Sequence, residues 1–462
     1  NSTSIIGGCI WDWVDQAIYD PHEMKQGIRR LHTGYDFPGP HQGNFCSNGV
    51  VTAERSYTAK LAEVKYGYQY VDLEVKNKEK GVSICVKNNY AFRSLADFEL
   101  RYEYLLDGNV VNNGYVAIGD VKPQDSTIVK VPAFKTKSDK ELLLTVKVVY
   151  KQQPEYAQGL SYDLDVAKRQ FVIHKGQPLA VSAQPKKSER LTMESADQSV
   201  RIGNSKVSVT FDRFSGQLTS LTFAGREMLA QGQGFLFNNH RWIENDRFGN
   251  TADGLEENGL LNTQWDNDAQ TAVEISTERK GELADQEIVY TVYGNGEILM
   301  DVTITPHSDE LRRAGVVCRL DSTLTYVDYY ALGPWENYCD RHDAVTLGRY
   351  VGTVDGMMEH YVKPQTTGDR SGMRELTLTD KSGHGLKIEA EGNVAFSASR
   401  YTDTDLMNAR HEWELKEQPF VYLHLDGAQR GLGNASCGPG TMKEYCIPQK
   451  PVTYRLKLSA VK

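Results

Sequence analysis

VDLEVKNKEKGVSICVKN, residues 71–88, sets Val71, Leu73 and Val75 against Asp72, Glu74 and Lys76, then Val82, Ile84 and Val86 against Ser83, Cys85 and Lys87. A period of two puts one face of each segment on a core and the other in water, so these are half-buried antiparallel strands. Downstream, Asp107-Gly108 marks a hairpin turn, Asn113-Gly114 a second, and LLLTVKVVY (142–150) a later strand before the pattern fades near residue 172. About seven short strands in such a span predict an immunoglobulin-like sandwich over 70–173.

Further on, HKGQPLAVSAQPKKSER (174–190) has two prolines, several charges and no alternation, and it reads as a linker over 174–194. The remaining residues, 195–462, are rich in strands: KVSVTFDRFSGQLTSLTF (206–223), EIVYTVYGNGEILMDVTITP (287–306) with its Gly-Asn-Gly turn, and VTYRLKLSAV (452–461). Helical periodicity is nearly absent there, which predicts one large β-sandwich and a mainly β chain.

Upstream the pattern differs. VVTAERSYTAKLAEVKYGYQY (50–70) contains a helix with Ala59, Leu61, Ala62 and Val64 on one face. Residues 21–45 are rich in Gly, Pro, His and Asp without periodicity and predict a long loop. IIGGCIWDWV (5–14) is apolar at nearly every position, as expected of a strand buried in a parallel sheet. Strand, loop and helix make one βα unit over 1–69. A lone unit leaves its strand edges open, so they need cover from more of the same polypeptide or from another copy in a homo-oligomer.

Bulk properties exclude some partners. A net charge of -9 with scattered Lys and Arg argues against nucleic acid. No run approaches the roughly 20 apolar residues of a membrane span; the best, ELLLTVKVVY, is broken by Lys147. Seven cysteines without CxxC or Cys/His spacing predict buried thiols; only Cys437 and Cys446 are close enough in sequence to pair across a hairpin. Compartment stays open between cytoplasm and periplasm.

Three features could carry chemistry. If their strand belongs to a parallel barrel, Trp11 or Trp13 at its C-terminal end could offer an indole face to a sugar ring, or fill space between barrel and helix. Asp12 and Asp15 could be a carboxylate pair for glycosyl transfer, but residues three apart on a strand face opposite sides, which favours a structural role. ALGPWENYCDRHDAVTLGRYVGTVDGMMEHYVKPQTTGDRSGMREL (331–376) concentrates Glu336, Asp340, Arg341, His342, Arg349, His360, Arg370, Arg374 and Glu375 among aromatics. Such a mixture suits a sugar-binding cup or an ion-pair network bracing loops, and paired Arg and carboxylates favour the network. The eleven histidines are dispersed with no HExxH, and no GxSxG occurs.

GGCIWDWVDQ (7–16), NFCSNGVV (44–51), FDRFSGQLTSL (211–221), LGPWENYCDRHDA (332–344) and YVKPQTTGDRSGMREL (361–376) together resemble, in order, the C-terminal half of the large β-galactosidases of glycoside hydrolase family 2. The resemblance implies the last βα unit of a (β/α)8 barrel, an immunoglobulin-like sandwich and a galactose-mutarotase-like β-supersandwich. It implies hydrolysis of terminal β-D-galactosides with retention, by nucleophile and acid/base glutamates upstream of residue 1, so that no catalytic residue lies in this chain and the chain alone is inactive. It further implies that Trp11 packs on the galactosyl ring, that Asn48 lies at the substrate site, and that Phe45 and Asn48 supply a carbonyl and a side-chain oxygen to a sodium ion, an incomplete site. Magnesium ligands of the parent enzyme have no match here. Two departures stand out: GLGNASCGPG (431–440) offers Cys437 where the family sends a tryptophan into the active site, and the PQ-x-x-G segment has Thr366 and Thr367 in place of the usual acidic residue. The alternatives are a non-catalytic carbohydrate-binding or subunit-interface module, and a sugar epimerase or lyase built on Glu336, Asp340, His342 and Glu375.

Overall fold

Strands that alternate valine or isoleucine with charged residues need a second sheet to cover their apolar side, and residues 71–174 supply it. The computed structural model describes residues 7–43, 45–77, 81–159, 164–176, 188–244, 246, 254–433 and 438–461. One sheet of the sandwich holds Val71–Asn77, Val82–Asn88 and Ser126–Val131; the other runs in the order Asn109–Ala117, Phe98–Leu106, Leu142–Tyr150, Asp165–His174. All pairings are antiparallel. Val71, Leu73, Val82, Ile84 and Val86 meet Phe98, Leu100, Leu144 and Val146 between the sheets, each large side chain contributing roughly 1.5–3 kcal/mol by leaving water.

Asp107 and Gly108 form the hairpin turn, with φ of 46° and 76°, the left-handed pair that matches strand twist in a two-residue turn. Asn113-Gly114 is not a turn: both residues lie inside the strand Asn109–Ala117. Gly114 pairs with Tyr102, and a Cβ there would come within 2.6 Å of the Tyr102 hydroxyl. The glycine makes room for a phenol, and its signature in sequence is the same as that of a turn.

The terminal unit is also mainly β. Its largest sheet has nine strands, and the last strand of the chain, Val452–Val461, lies inside it between Ile298–Pro306 and Gly385–Glu391. The predicted turn at 294–296 joins Ala284–Tyr293 to Ile298–Pro306, with Gly296 at φ 101°. Sheets of four and five strands complete the unit. One continuous core, including Phe211, Phe237, Tyr290, Phe396 and Leu456, joins them. Among the described residues, no helix is long and apolar enough to cross a membrane.

The N-terminal segment departs from expectation. Residues 7–13 form no strand; Val14 makes a single parallel bridge to Val51, and residues 5 and 6 lie outside the described residues. The pairing continues only through Asp15 N to Val51 O (3.1 Å), Gln16 N to Cys46 O (2.8 Å), Val50 N to Asp12 O (3.1 Å) and Val51 N to Trp13 O (3.0 Å). A buried parallel strand needs a neighbour on each edge, and here residues 12–16 pair on one edge. The stretch 21–45, expected as plain loop, holds a helical turn, Pro21–Lys25, and the short strand Leu31–Thr33, which pairs with Ala17–Tyr19 just ahead of it. Asp20 starts that turn by accepting from His22 N at 2.7 Å, with Pro21 in the first helical position. The helix expected within 50–70 is Ala59–Gly67, capped by Thr58 and burying Ala59 and Ala62.

The sandwich docks on the terminal unit through the tip of its hairpin. Leu105 and Leu143 pack with Tyr330 and Leu347. Gln170 exchanges hydrogen bonds with the Leu347 backbone, donating at 2.9 Å and accepting at 2.8 Å. A Cβ on Gly108 would lie 2.7 Å from the Tyr330 ring. Gly108→Ala therefore meets both a positive φ and the tyrosine, and is expected to lower stability by about 1–3 kcal/mol, read as a reduced urea midpoint with unchanged slope.

Candidate active-site wall

The N-terminal segment is fastened at its base and open at its tip. Asp15, 5% exposed, accepts from Gly49 N at 2.7 Å, and a Cβ at Gly49 would collide with the Asp15 backbone. Burial raises the Asp15 pKa, and the nearby Lys60 charge opposes the rise. Asp12 accepts from the Gln16 amide. Each aspartate thus has its own hydrogen-bond partner, and Asp15 holds the bend that carries Asn48. Trp11 and Trp13 project into solvent, 78% and 50% exposed, and Phe45 is 43% exposed. Asn48 is half-buried, and its Nδ2 is buried with no hydrogen-bond partner among the described residues. Cys437 lies outside the described residues, as does any pairing with Cys446; the six described cysteines are free thiols.

The helix Ala59–Gly67 links this segment to the 331–376 block. Lys60 Nζ sits 5.3 Å from the centre of the Tyr361 ring, its pKa lowered by burial and supported by Asp15 and Glu336. Glu63 accepts from Ala344 N at 3.1 Å, while Lys168 of the sandwich donates to Ala344 O at 2.8 Å. One peptide stretch of the terminal unit is thus held by both other parts of the chain.

Glu336 is the centre of that block. It is 2% exposed, and its carboxylate accepts from Arg341 (2.5 Å), Tyr361 (2.9 Å), Thr367 (2.8 Å), Gly368 N (2.8 Å) and Tyr338 (3.3 Å). Burial alone would raise its pKa; the Arg341 charge and the Gly368 N–H outweigh it and hold the group below the usual range. The network reading of 331–376 is the one the geometry supports. The threonines of the PQ-x-x-G segment belong to it: Thr367 binds Glu336, and Thr366 donates to buried Asp403 at 2.6 Å. Asp340 accepts from Gly433 N at 3.0 Å, and Glu375 pairs with Arg349 at 2.7 Å and Lys387 at 2.9 Å. These acids have separate structural partners and do not converge as an acid/base pair.

Beside the network runs a cleft of about 890 Å³ whose walls include Tyr57, Trp335, Met358, Glu359, His360 and Arg370. Tyr57 lies against Trp335, ring centres 4.9 Å apart. Burial and the neighbouring Glu336 charge push Glu359 up to about 7, against the pull of Arg341. Glu359 could not be singled out in the sequence, because its shift arises from Glu336 and from burial in the folded chain, neither of which the local pattern shows.

The family profile described as "Beta galactosidase small chain" matches residues 203–458. This chain belongs to that family. Two further profiles match ahead of it: "Beta-galactosidase, domain 4" over 84–174 and "Glycosyl hydrolases family 2, TIM barrel domain" over 2–73. Curated β-galactosidases from Priestia megaterium and Streptococcus thermophilus are 26% and 28% identical over 444 residues, covering 92% of this chain. The chain spans 42% and 41% of their length. Among solved structures, the GalM/aldose epimerase homologue from C. elegans aligns with 56% of this chain and 96% of its own at 11% identity and a TM-score of 0.33, too slight a likeness to bear on function.

Two outcomes follow for this β-galactosidase-family chain. Glu336→Gln leaves Arg341, 18% exposed, without its counter-charge and should cost about 2–4 kcal/mol in chemical denaturation. For Glu359, folding favours the protonated carboxyl, since its value of about 7 lies above the ordinary 4.5. The stability it contributes is whole below pH 4.5 and is lost as pH rises through 7. Glu359→Gln should remove this dependence, gaining about 2–3 kcal/mol on the wild type between pH 5 and pH 8.

Proposed function

We propose that this chain is the C-terminal portion of a retaining β-galactosidase, giving the enzyme one wall of its galactoside cleft and the scaffold behind it, while the nucleophile and acid/base glutamates are supplied from outside residues 1–462. The observation that carries the reading is the confinement of the barrel match to residues 2–73, whereas an eight-stranded barrel takes about 250 residues. The nearby acids support it: Asp15, Glu336 and Glu375 are each committed to structural partners.

In this reading Trp11 offers its exposed indole to the apolar face of the galactosyl ring. Asn48 and the Phe45 carbonyl contribute to a sodium site. The orphaned end of the Asn48 amide fits that role once the amide is turned about its last bond, which brings the side-chain oxygen to the unpaired position. Sodium held there would present its remaining positions to sugar hydroxyls, and its other ligands, like all those of magnesium, belong to the rest of the enzyme.

The 462-residue chain alone should release no nitrophenol from a nitrophenyl β-galactoside, and joining it to polypeptide that completes the barrel should restore turnover. Trp11→Ala in the restored enzyme should lower kcat/KM at least ten-fold. Turnover by the chain alone would refute the division of labour. Galactose binding to the isolated chain that survives Trp11→Ala would favour an independent carbohydrate-binding module instead.

A further inference from the structure

A second cluster joins the N-terminal segment to the terminal sandwich, independently of the galactosidase reading. Glu23 Oε2 lies 2.9 Å from His32 Nε2, and His32 Nδ1 lies 3.7 Å from Asp36 Oδ2. The same carboxylate lies 2.8 Å from His411 Nε2, and His411 Nδ1 lies 2.8 Å from Glu414 Oε1. Acid and imidazole alternate through five residues, with Asp36 in the middle and one glutamate at each end.

This arrangement has a proton problem. A neutral imidazole carries one N–H and one lone pair, yet both nitrogens of both histidines face carboxylates. With neutral rings, each histidine turns a lone pair towards an anion. The side chains are enclosed, His411 being 4% exposed, Asp36 12% and His32 15%. The nearest other cation is Arg410, whose Nη2 is 3.8 Å from Asp36 Oδ1 and whose side chain is 63% exposed. A divalent cation among His32 Nδ1, His411 Nε2 and Asp36 removes the conflict: each ring gives its lone pair inward and its N–H outward to a glutamate.

That outward hydrogen bond to a carboxylate is the usual support of a metal-ligating histidine, because it fixes the tautomer and raises ligand basicity. Here it occurs twice. One ligand atom from each of His32, Asp36 and His411 lies within 4.8 Å of the others, and tetrahedral zinc needs about 3.4 Å between ligands. The rings are also oriented from outside: His411 stacks on Trp413 with centres 4.5 Å apart and planes 12° apart. Thr33 N holds Asp36 Oδ2 at 2.8 Å; Oδ1, 2.9 Å from His411 Nε2, already points into the cluster and is the oxygen that would turn to a metal as Arg410 swings into solvent. Two imidazoles and one carboxylate suit zinc over the hard cations.

We propose that His32, Asp36 and His411 bind a zinc ion, oriented by Glu23 and Glu414, that clamps the N-terminal segment to the terminal sandwich. Its fourth position is left for water.

The test is titration of the metal-stripped 462-residue chain with zinc chloride at pH 7.5, followed by calorimetry, thermal unfolding and X-ray absorption. One equivalent should bind, raise Tm and show two imidazole nitrogens around the metal. Asp36→Asn and His32→Gln should weaken binding at least 100-fold. Glu414→Gln keeps all three ligands and should weaken it about 10–100-fold, which keeps the test decisive should a ligand variant fail to fold. Absence of saturable zinc binding, or binding untouched by these variants, overturns the proposal. So does a Tm that rises from pH 8 to pH 6 in chelator yet ignores zinc, since protons would then hold the cluster.

Discussion

A carboxylate that is 2% exposed must have every lone pair engaged, and Glu336 imposes this condition on the loops around it. Its donors come from the turn that follows it (Tyr338, Arg341) and from a distant loop (Tyr361, Thr367, Gly368). Irregular backbone with no ladder of its own is thereby drawn to one point. The arrangement is of the kind in which geometry decides the sign of the energy: a buried charge with four close donors is tolerable, and the same charge with one donor missing is not. The turn it holds runs on to Ala344, which the helix Ala59–Gly67 and the sandwich grip through Glu63 and Lys168.

Apolar burial does the rest of the work elsewhere. The terminal unit has a continuous core that runs from Leu191 to Leu458, and its last strand lies in the middle of the nine-stranded sheet, so the sheet is whole only when the final residues are in place. The sandwich has its own core and meets the terminal unit over a small apolar patch of Leu105, Leu143, Tyr330 and Leu347. Around that patch the contacts are polar and directional, such as the Gln170 pair with Leu347 and Arg349 donating to Asp107 O at 3.0 Å. Directional contacts fix orientation where area is limited.

The β architecture was legible because its cause is local. Alternation at Val71–Asn77 and Val82–Asn88 follows from one wet and one dry face, and Asp107-Gly108 follows from the backbone a two-residue turn demands. Asn113-Gly114 misled because a glycine that admits a phenol from the next strand looks, in one sequence, like a glycine that turns the chain. The strand at 5–14 failed for a different reason: apolar residues state that cover is needed and do not state that it is present. The ion-pair character of 331–376 could be inferred from its mixture of charges, but the hub could not, since nothing local distinguishes Glu336 from Glu375 or Asp340. The His32–Asp36–His411 contact was out of reach altogether, its partners being 375 residues apart from Asp36 to His411.

The N-terminal segment combines a fixed base with an open tip, and the two have separate causes. At the base, buried Asp15, its bond to Gly49 and the Lys60 charge hold the crossing of residues 12–16 over 46–51. At the tip, Ile10, Trp11 and Trp13 remain 39%, 78% and 50% exposed, and apolar rings gathered on a surface in this way mark a place where something else is to pack. Flexible support would make such a platform ineffective, because the entropy of ordering it would offset the contact. Polar bonds and the Lys60 charge therefore fix the base from which the indoles project, so the position of the tip is set by contacts that the tip itself does not make.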